Sequence, residues 1–347
     1  METTALGFPP VTIAVFAALT IFALAIDLFA HRDDKPMSLM QASAWSIFWV
    51  AISLAFAGYL YVSHGSEVSS LFLTGYALEK VLSVDNLFVF MAIFAWFGVP
   101  DGYRHRILYW GIIGAIVFRM IFVAIGTGLL AFGPWVELLF AAIVGWTAVM
   151  MLTSGDNDDE EEDYSKHFAY RFAHRLFPVW PKLHGHNFFV RREDIAAELK
   201  KPENRNVVLR KGGLIATPLF LCLVVVEISD VLFAFDSVPA VIAVSREPLI
   251  VYSAMMFAIL GLRTMYFVLE ALKRYLVHLE KAVVALLFFI AGKLALNATD
   301  HLFHHGYNID PNTSLVIVLI VLAIGIIASA MFPEKEAEPV ETKSESA

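Results

Sequence analysis

Two apolar stretches of the chain carry carboxylates where only hydrocarbon-compatible side chains are expected. The first, EKVLSVDNLFVF at 79–90, holds Glu79, Lys80 and Asp85 with the polar Ser83 and Asn86. The second, EISDVLFAFDSVPAV at 227–241, holds Glu227, Asp230 and Asp236 with Ser229 and Ser237. An ionised side chain at the centre of a membrane helix costs about 2.5–3.5 kcal/mol, so such residues mark function or tight pairing. Carboxylate, amide and hydroxyl are hard oxygen donors, the set that suits Mn²⁺, Mg²⁺ or Ca²⁺ rather than softer ions. Pure structural pairing is one alternative, with Lys80, Arg119, Arg263 and Lys293 as the bases inside apolar segments. Those four bases face five acids plus Asp27, which leaves carboxylates to be neutralised by protons or by a bound cation. A proton relay without a metal is the other alternative.

Helical phase sorts these residues. At about 100° per residue, Glu79, Ser83 and Asn86 share one face, and Glu227 and Asp230 share another. Asp85 and Asp236 point elsewhere on ideal helices. Pro239 removes the amide that would bond the carbonyl of Phe235, so a helix break is expected near Asp236, swinging it towards Asp230.

The elements that must hold such residues are membrane helices. Of 347 residues, 59% are hydrophobic and 17% charged, against about 25% charged in a soluble chain. The mean hydropathy is +0.68. Nine segments are long and apolar enough, or nearly so, for the roughly 20-residue span a bilayer needs: 10–30, 42–62, 70–97, 106–130, 134–153, 214–244, 248–272, 281–300 and 313–332. The first lacks a basic leading region and is expected to stay in the membrane as a span. Alternating the loops puts twenty basic residues on one side and Arg246 alone on the other. The positive-inside rule then places the N-terminus outside and the C-terminus in the cytoplasm. The net charge of −8 implies no nucleic-acid partner.

An internal repeat is visible. VDNLFVF at 84–90 matches SDVLFAF at 229–235 in its aspartate, leucine and both phenylalanines. Asp85 precedes Arg119 by 34 residues and Asp230 precedes Arg263 by 33. Two three-span units must insert with opposite orientation, which is the inverted repeat of many secondary transporters. The expected organisation is therefore all-α: a two-helix segment (1–69), repeat one (70–153), a cytoplasmic loop (154–212), repeat two (213–300), and an outer loop with a last span and a disordered tail (301–347).

The loops carry weaker signals. Asp156–Asp163 is an acidic run that reads as solvated. SKHFAYRFAHRLF after it has the spacing of an amphipathic helix lying on the inner surface. All eleven histidines lie in loops or at span ends, which argues against haem, zinc or copper ligation within the bilayer. Asp300, His301, His304, His305 and Asp310 form a candidate metal-capturing loop, and His184 with His186 a fainter one. The lone Cys222 excludes a disulfide framework and reads as a small buried hydrophobe. No resident cofactor and no enzymatic chemistry is expected.

The two acidic stretches, with NFFVR at 187–191 and ATPL at 216–219, resemble the TerC family of bacterial membrane proteins over about residues 10–332, particularly its Alx-like branch. The family is placed with the LysE-type exporters and named for tellurium resistance, and several members are regarded as manganese exporters. The resemblance implies metal-site roles for Glu79, Asp85, Asn86, Glu227, Asp230, Asp236 and Ser237. Asp27, Ser83, Lys80, Arg119 and Arg263 are candidate supporting residues. About twenty polar residues between Arg191 and Gly212 depart from the family's usual short junction. The expectation is a multi-pass protein of the bacterial inner membrane exporting Mn²⁺ in exchange for protons, or else a non-transporting component of tellurite or envelope-stress resistance acting through partners.

Overall fold

In the computed structural model, the described residues are 7–30, 37–154, 170–171, 178–180, 182–191, 193–195, 214–272, 279–307 and 309–331. The acidic run 156–163, most of the expected amphipathic helix, most of the polar insertion and the C-terminal tail lie outside them. The fold is all-α, in order α1 (Pro10–Ala30), α2 (Leu39–His64), α3 (Ser66–Trp96), α4 (Asp101–Leu129) and α5 (Pro134–Ser154), then α6 (Pro218–Val244), α7 (Pro248–Ile259), α8 (Leu262–Leu272), α9 (Leu279–Phe303) and α10 (Pro311–Met331).

Among the described residues, seven helices are long and apolar enough to cross a membrane, and the bent pair α7–α8 brings the number to eight. The remaining long helix, α3, has 31 residues, about 46 Å, but carries Glu67, Glu79, Lys80 and Asp85. Its charge keeps it from being counted as a span by apolarity alone, so seven or eight of the nine expected spans stand on this criterion. Outward faces are apolar: Ile21 and Phe22 on α1, Ile121 and Ile125 on α4, Trp146 and Met150 on α5, Ile320, Ile324 and Ile327 on α10. Water would be a poor solvent for that surface, whereas lipid matches it.

Helix α3 is the central element, packed by α2, α6, α7 and α10. The most extensive helix pairings are α5 with α9, α4 with α6 and α3 with α7. Close approach of α4 and α6 uses glycine. A Cβ on Gly126 would stand 2.6 Å from Ile242 Cδ1, and one on Gly114 would overlap the Glu227 carboxylate.

Two sequence expectations change here. The sixth segment begins as a helix at Pro218 rather than 214, because Leu214–Ala216 forms strand β2 against β1 (Phe189–Arg191), antiparallel with Val190 opposite Ile215. Pro218 biases Thr217 to extended backbone and opens the helix at its first position. The expected break at Pro239 does not occur, and α6 runs through it. One missing amide is tolerable in a membrane helix held by its neighbours, and Val238, Ala240 and Val241 are all buried against them.

The break lies instead between α7 and α8, bent by 54° at Leu260–Gly261. Gly261 takes φ +76°, a left-handed backbone that favours glycine, and a Cβ there would collide with the Trp49 ring. The chain thus turns where Trp49 of α2 packs against it.

Candidate functional site

Arg119, fully buried on α4, lies between a carboxylate of each acidic stretch. It is ion-paired with Glu79 of α3, and its Nη2 lies 3.2 Å from Asp230 Oδ1 of α6. Glu79 is fully buried and Asp230 nearly so. A guanidinium presents a planar fork of five donors, so one side chain can hold two carboxylates from different helices. The match is incomplete, since Asp230 Oδ2 is buried with no hydrogen-bond donor against it.

One turn earlier on α6, Glu227 packs its carboxylate against the bare backbone of Gly114. Its Oε2 is likewise buried without a hydrogen-bond partner. Glu227 and Asp230 line a narrow cleft between α3, α4, α6 and α8. Its walls are apolar, with Leu87, Phe90, Leu108 and Ile112, and its charged lining residues are Glu227, Asp230 and Arg263. Two acids with spare oxygens and one arginine therefore share a low-dielectric chamber, where charge strongly prefers compensation.

A second charge cluster adjoins it at the α7–α8 break. Arg263 Nη2 lies 3.1 Å from Asp27 Oδ2 of α1, also hydrogen-bonds the Asp27 carbonyl, and stacks its guanidinium 5.3 Å from the centre of the Tyr109 ring. Lys80 turns away from its neighbour Glu79 and donates to the carbonyls of Ala258 and Leu260, 3.1 Å each.

Of the residues expected from sequence, Glu79, Asp230, Glu227 and Arg119 come together, and Arg263 joins them through the cleft. Asp27 and Lys80 belong to the adjoining cluster. Ser83 and Ser237 are buried with hydroxyls that meet no partner. Asn86 is buried and Asp85 half-buried on α3, but the α3 wall of the cleft is Leu87 and Phe90. The Asp236 side chain lies outside the described residues. Among the described residues, no three of His, Cys, Asp and Glu converge as a metal-holding group, in the long helices or in the loop before α10. There, His305 is engaged with Asp300 and Thr299.

Sequence reasoning missed the ion pairs that close the two ends of the helix bundle. At one end Arg104 of α4 meets Glu270 of α8, Asp101 at 3.0 Å and the Val99 carbonyl at 3.2 Å. At the other, Arg246 Nη2 lies 2.7 Å from the buried Glu137 of α5, and both Arg246 terminal nitrogens lie 3.1 Å from His301 of α9. The signal was present, because Arg246 is the lone basic residue of its side. A small cluster of Trp180, Val190, Ile195 and Ile215 is joined to the first end by Arg106, whose guanidinium lies 5.0 Å over Phe188.

A family model described as "Integral membrane protein TerC family" matches residues 64–337. The chain is similar to "Tellurium resistance protein TerC" of Serratia marcescens, at 70% identity over 96% of this chain and 98% of that one. It is similar to the protein of the same name from Alcaligenes sp, at 68% identity over 99% and 100% of the two. Similarity extends to the protein of Escherichia coli K12 named "Putative membrane-bound redox modulator Alx", at 36% identity over 91% and 92%. No solved structure matches the chain.

Proposed function

The chain belongs to the TerC family of integral membrane proteins, and from that premise we propose that it exports a hard divalent cation, Mn²⁺ first, from the cytoplasm in exchange for protons. The observation that carries the proposal is Arg119, which holds Glu79 and Asp230 beside a Glu227 whose Oε2 meets no donor. In this reading the guanidinium is an internal counter-ion. The arriving dication competes with Arg119 for Glu79, Asp230 and Glu227, and Asp85, Asn86, Asp236 and Ser237 complete the oxygen set as the helices move. Two positive charges displace one guanidinium and the protons held by the cluster. On the far side protons return, the cation leaves, and Arg119 closes back on the carboxylates.

Helix pairing supports an inverted repeat. If α3–α5 and α6–α9 are the two units, the first element of each packs on the second of the other, and the third elements pack together. The acids and Arg119 then sit at the interface of the units, where rocking of one against the other would alter access. Arg104–Glu270 and Glu137–Arg246 both join one unit to the other, at opposite ends, and act as the inner and outer closures. In this reading the basic loops face the cytoplasm by the positive-inside rule, and the protein lies in the bacterial inner membrane with its N-terminus out.

Reconstituted protein tests the reading. Manganese flux should follow an imposed proton gradient, and Asp230→Asn should abolish it. The relatives' tellurium-resistance names suit a second reading, a non-transporting component working through the cytoplasmic segment. That segment is tied to the bundle by Arg106–Phe188. Metal tolerance surviving deletion of 156–205 would dismiss it.

A further inference from the structure

We propose that the break between α7 and α8 is a monovalent-cation site which the chain fills with its own Lys80 ammonium. Continuous helix would give the carbonyl of Ala258 to the amide of Leu262 and that of Leu260 to the amide of Thr264. The turn through Leu260 (ψ 129°) and Gly261 (φ +76°) removes both acceptors from the helical ladder. In hydrocarbon no water replaces those bonds, so a broken helix needs another donor or a cation at its end. Lys80 Nζ stands 3.1 Å from each oxygen, and among the described residues it has no carboxylate within ion-pair distance. The negative end of the α7 dipole faces it, and Asp27 is the opposite charge that acts on it.

An ammonium coordinated by main-chain carbonyls at a helix break is in the chemical position of Na⁺ or K⁺ at the unwound segments of transporters. Lys80 lies outside the lining of the cleft that holds Glu227 and Asp230. Its role is to keep α8 broken from α7, and hence Arg263 aimed at Asp27, without recruiting an alkali ion. This inference concerns the break alone and is tested without any transport measurement, so it stands or falls separately from manganese export.

The experiment is hydrogen–deuterium exchange of residues 256–266 in the full-length protein, metal-free, in choline, sodium or potassium chloride at equal ionic strength. Wild type and Lys80→Arg should exchange slowly and alike in all three salts. Lys80→Ala should exchange faster in choline and slow again in sodium or potassium. With the ion at tenfold its dissociation constant, the slowing is about elevenfold. Should Lys80→Ala not fold, Lys80→Gln is measured in the same way. A variant that exchanges as slowly as wild type in choline, or equally fast in all three salts, overturns the proposal. So does a wild type that is itself sensitive to the alkali ion.

Discussion

Replacing Arg119 by glutamine separates an internal counter-ion from an ordinary structural ion pair. The substitution leaves Glu79 and Asp230, both buried, without their shared positive partner. Removing one member of a buried ionic group costs about 3–5 kcal/mol, because the remaining charge stays in a poor solvent. With an unfolding entropy of about 2.1 cal/mol/K per residue over 347 residues, that is a drop in Tm of about 4–7 °C. If Arg119 stands in for cargo, Mn²⁺ should return that stability, by about 2.7 kcal/mol at a hundred times its Kd. Wild type should gain less, since the ion must first displace the guanidinium. The assay is thermal unfolding in detergent, in EDTA and across a Mn²⁺ titration. The reasoning is refuted if Arg119→Gln loses stability and manganese restores none of it, or if manganese stabilises wild type more than the variant.

Three further outcomes follow from the same geometry. Gly114→Ala should displace the Glu227 carboxylate, costing about 1–3 kcal/mol and weakening manganese binding, whereas Gly128→Ala, which meets no neighbour, should change neither. In a Cys222→Ala background, Arg246→Ala should raise labelling of Val238→Cys by an impermeant maleimide added outside several-fold, and unchanged labelling would discount the outer closure. Asp310 caps α10 by accepting from the amides of Asn312 (2.9 Å) and Thr313 (3.1 Å). Its bonds from the Thr313 hydroxyl and then the Thr313 amide hold the carboxyl below the usual carboxylate range. That stability is present above the unfolded value of about 3.9 and fades as pH falls through the lower folded value. Protection of the amides of 312–315 should therefore fall only in strong acid, and Asp310→Ala should lower it at neutral pH.

The sequence made some of this legible and hid the rest for physical reasons. Acid inside apolar stretches is conspicuous, and helical phase already set Asp85 apart from the face that holds Glu79. The partnership of Arg119 with Glu79 was not legible, because the repeat matches Asp85 with Asp230 and draws the eye to those two. Pro239 suggested a break by its missing amide, yet one lost bond is absorbed by a packed helix. Gly261 looked ordinary until Trp49 of a distant helix closed on it. Lys80 stood among four bases that could pair with the buried acids, but it donates to the main-chain carbonyls of Ala258 and Leu260 at a helix break that local sequence does not announce. The start of α6 moved by four residues because β-pairing with 189–191 is a long-range choice that local hydropathy does not encode.

Simultaneous recording of manganese and proton movement in proteoliposomes tests the central claim most directly. The account predicts that manganese leaves as protons enter in wild type, and that both movements vanish in Asp230→Asn. Full manganese flux in Asp230→Asn, or flux with no dependence on the proton gradient, would contradict it.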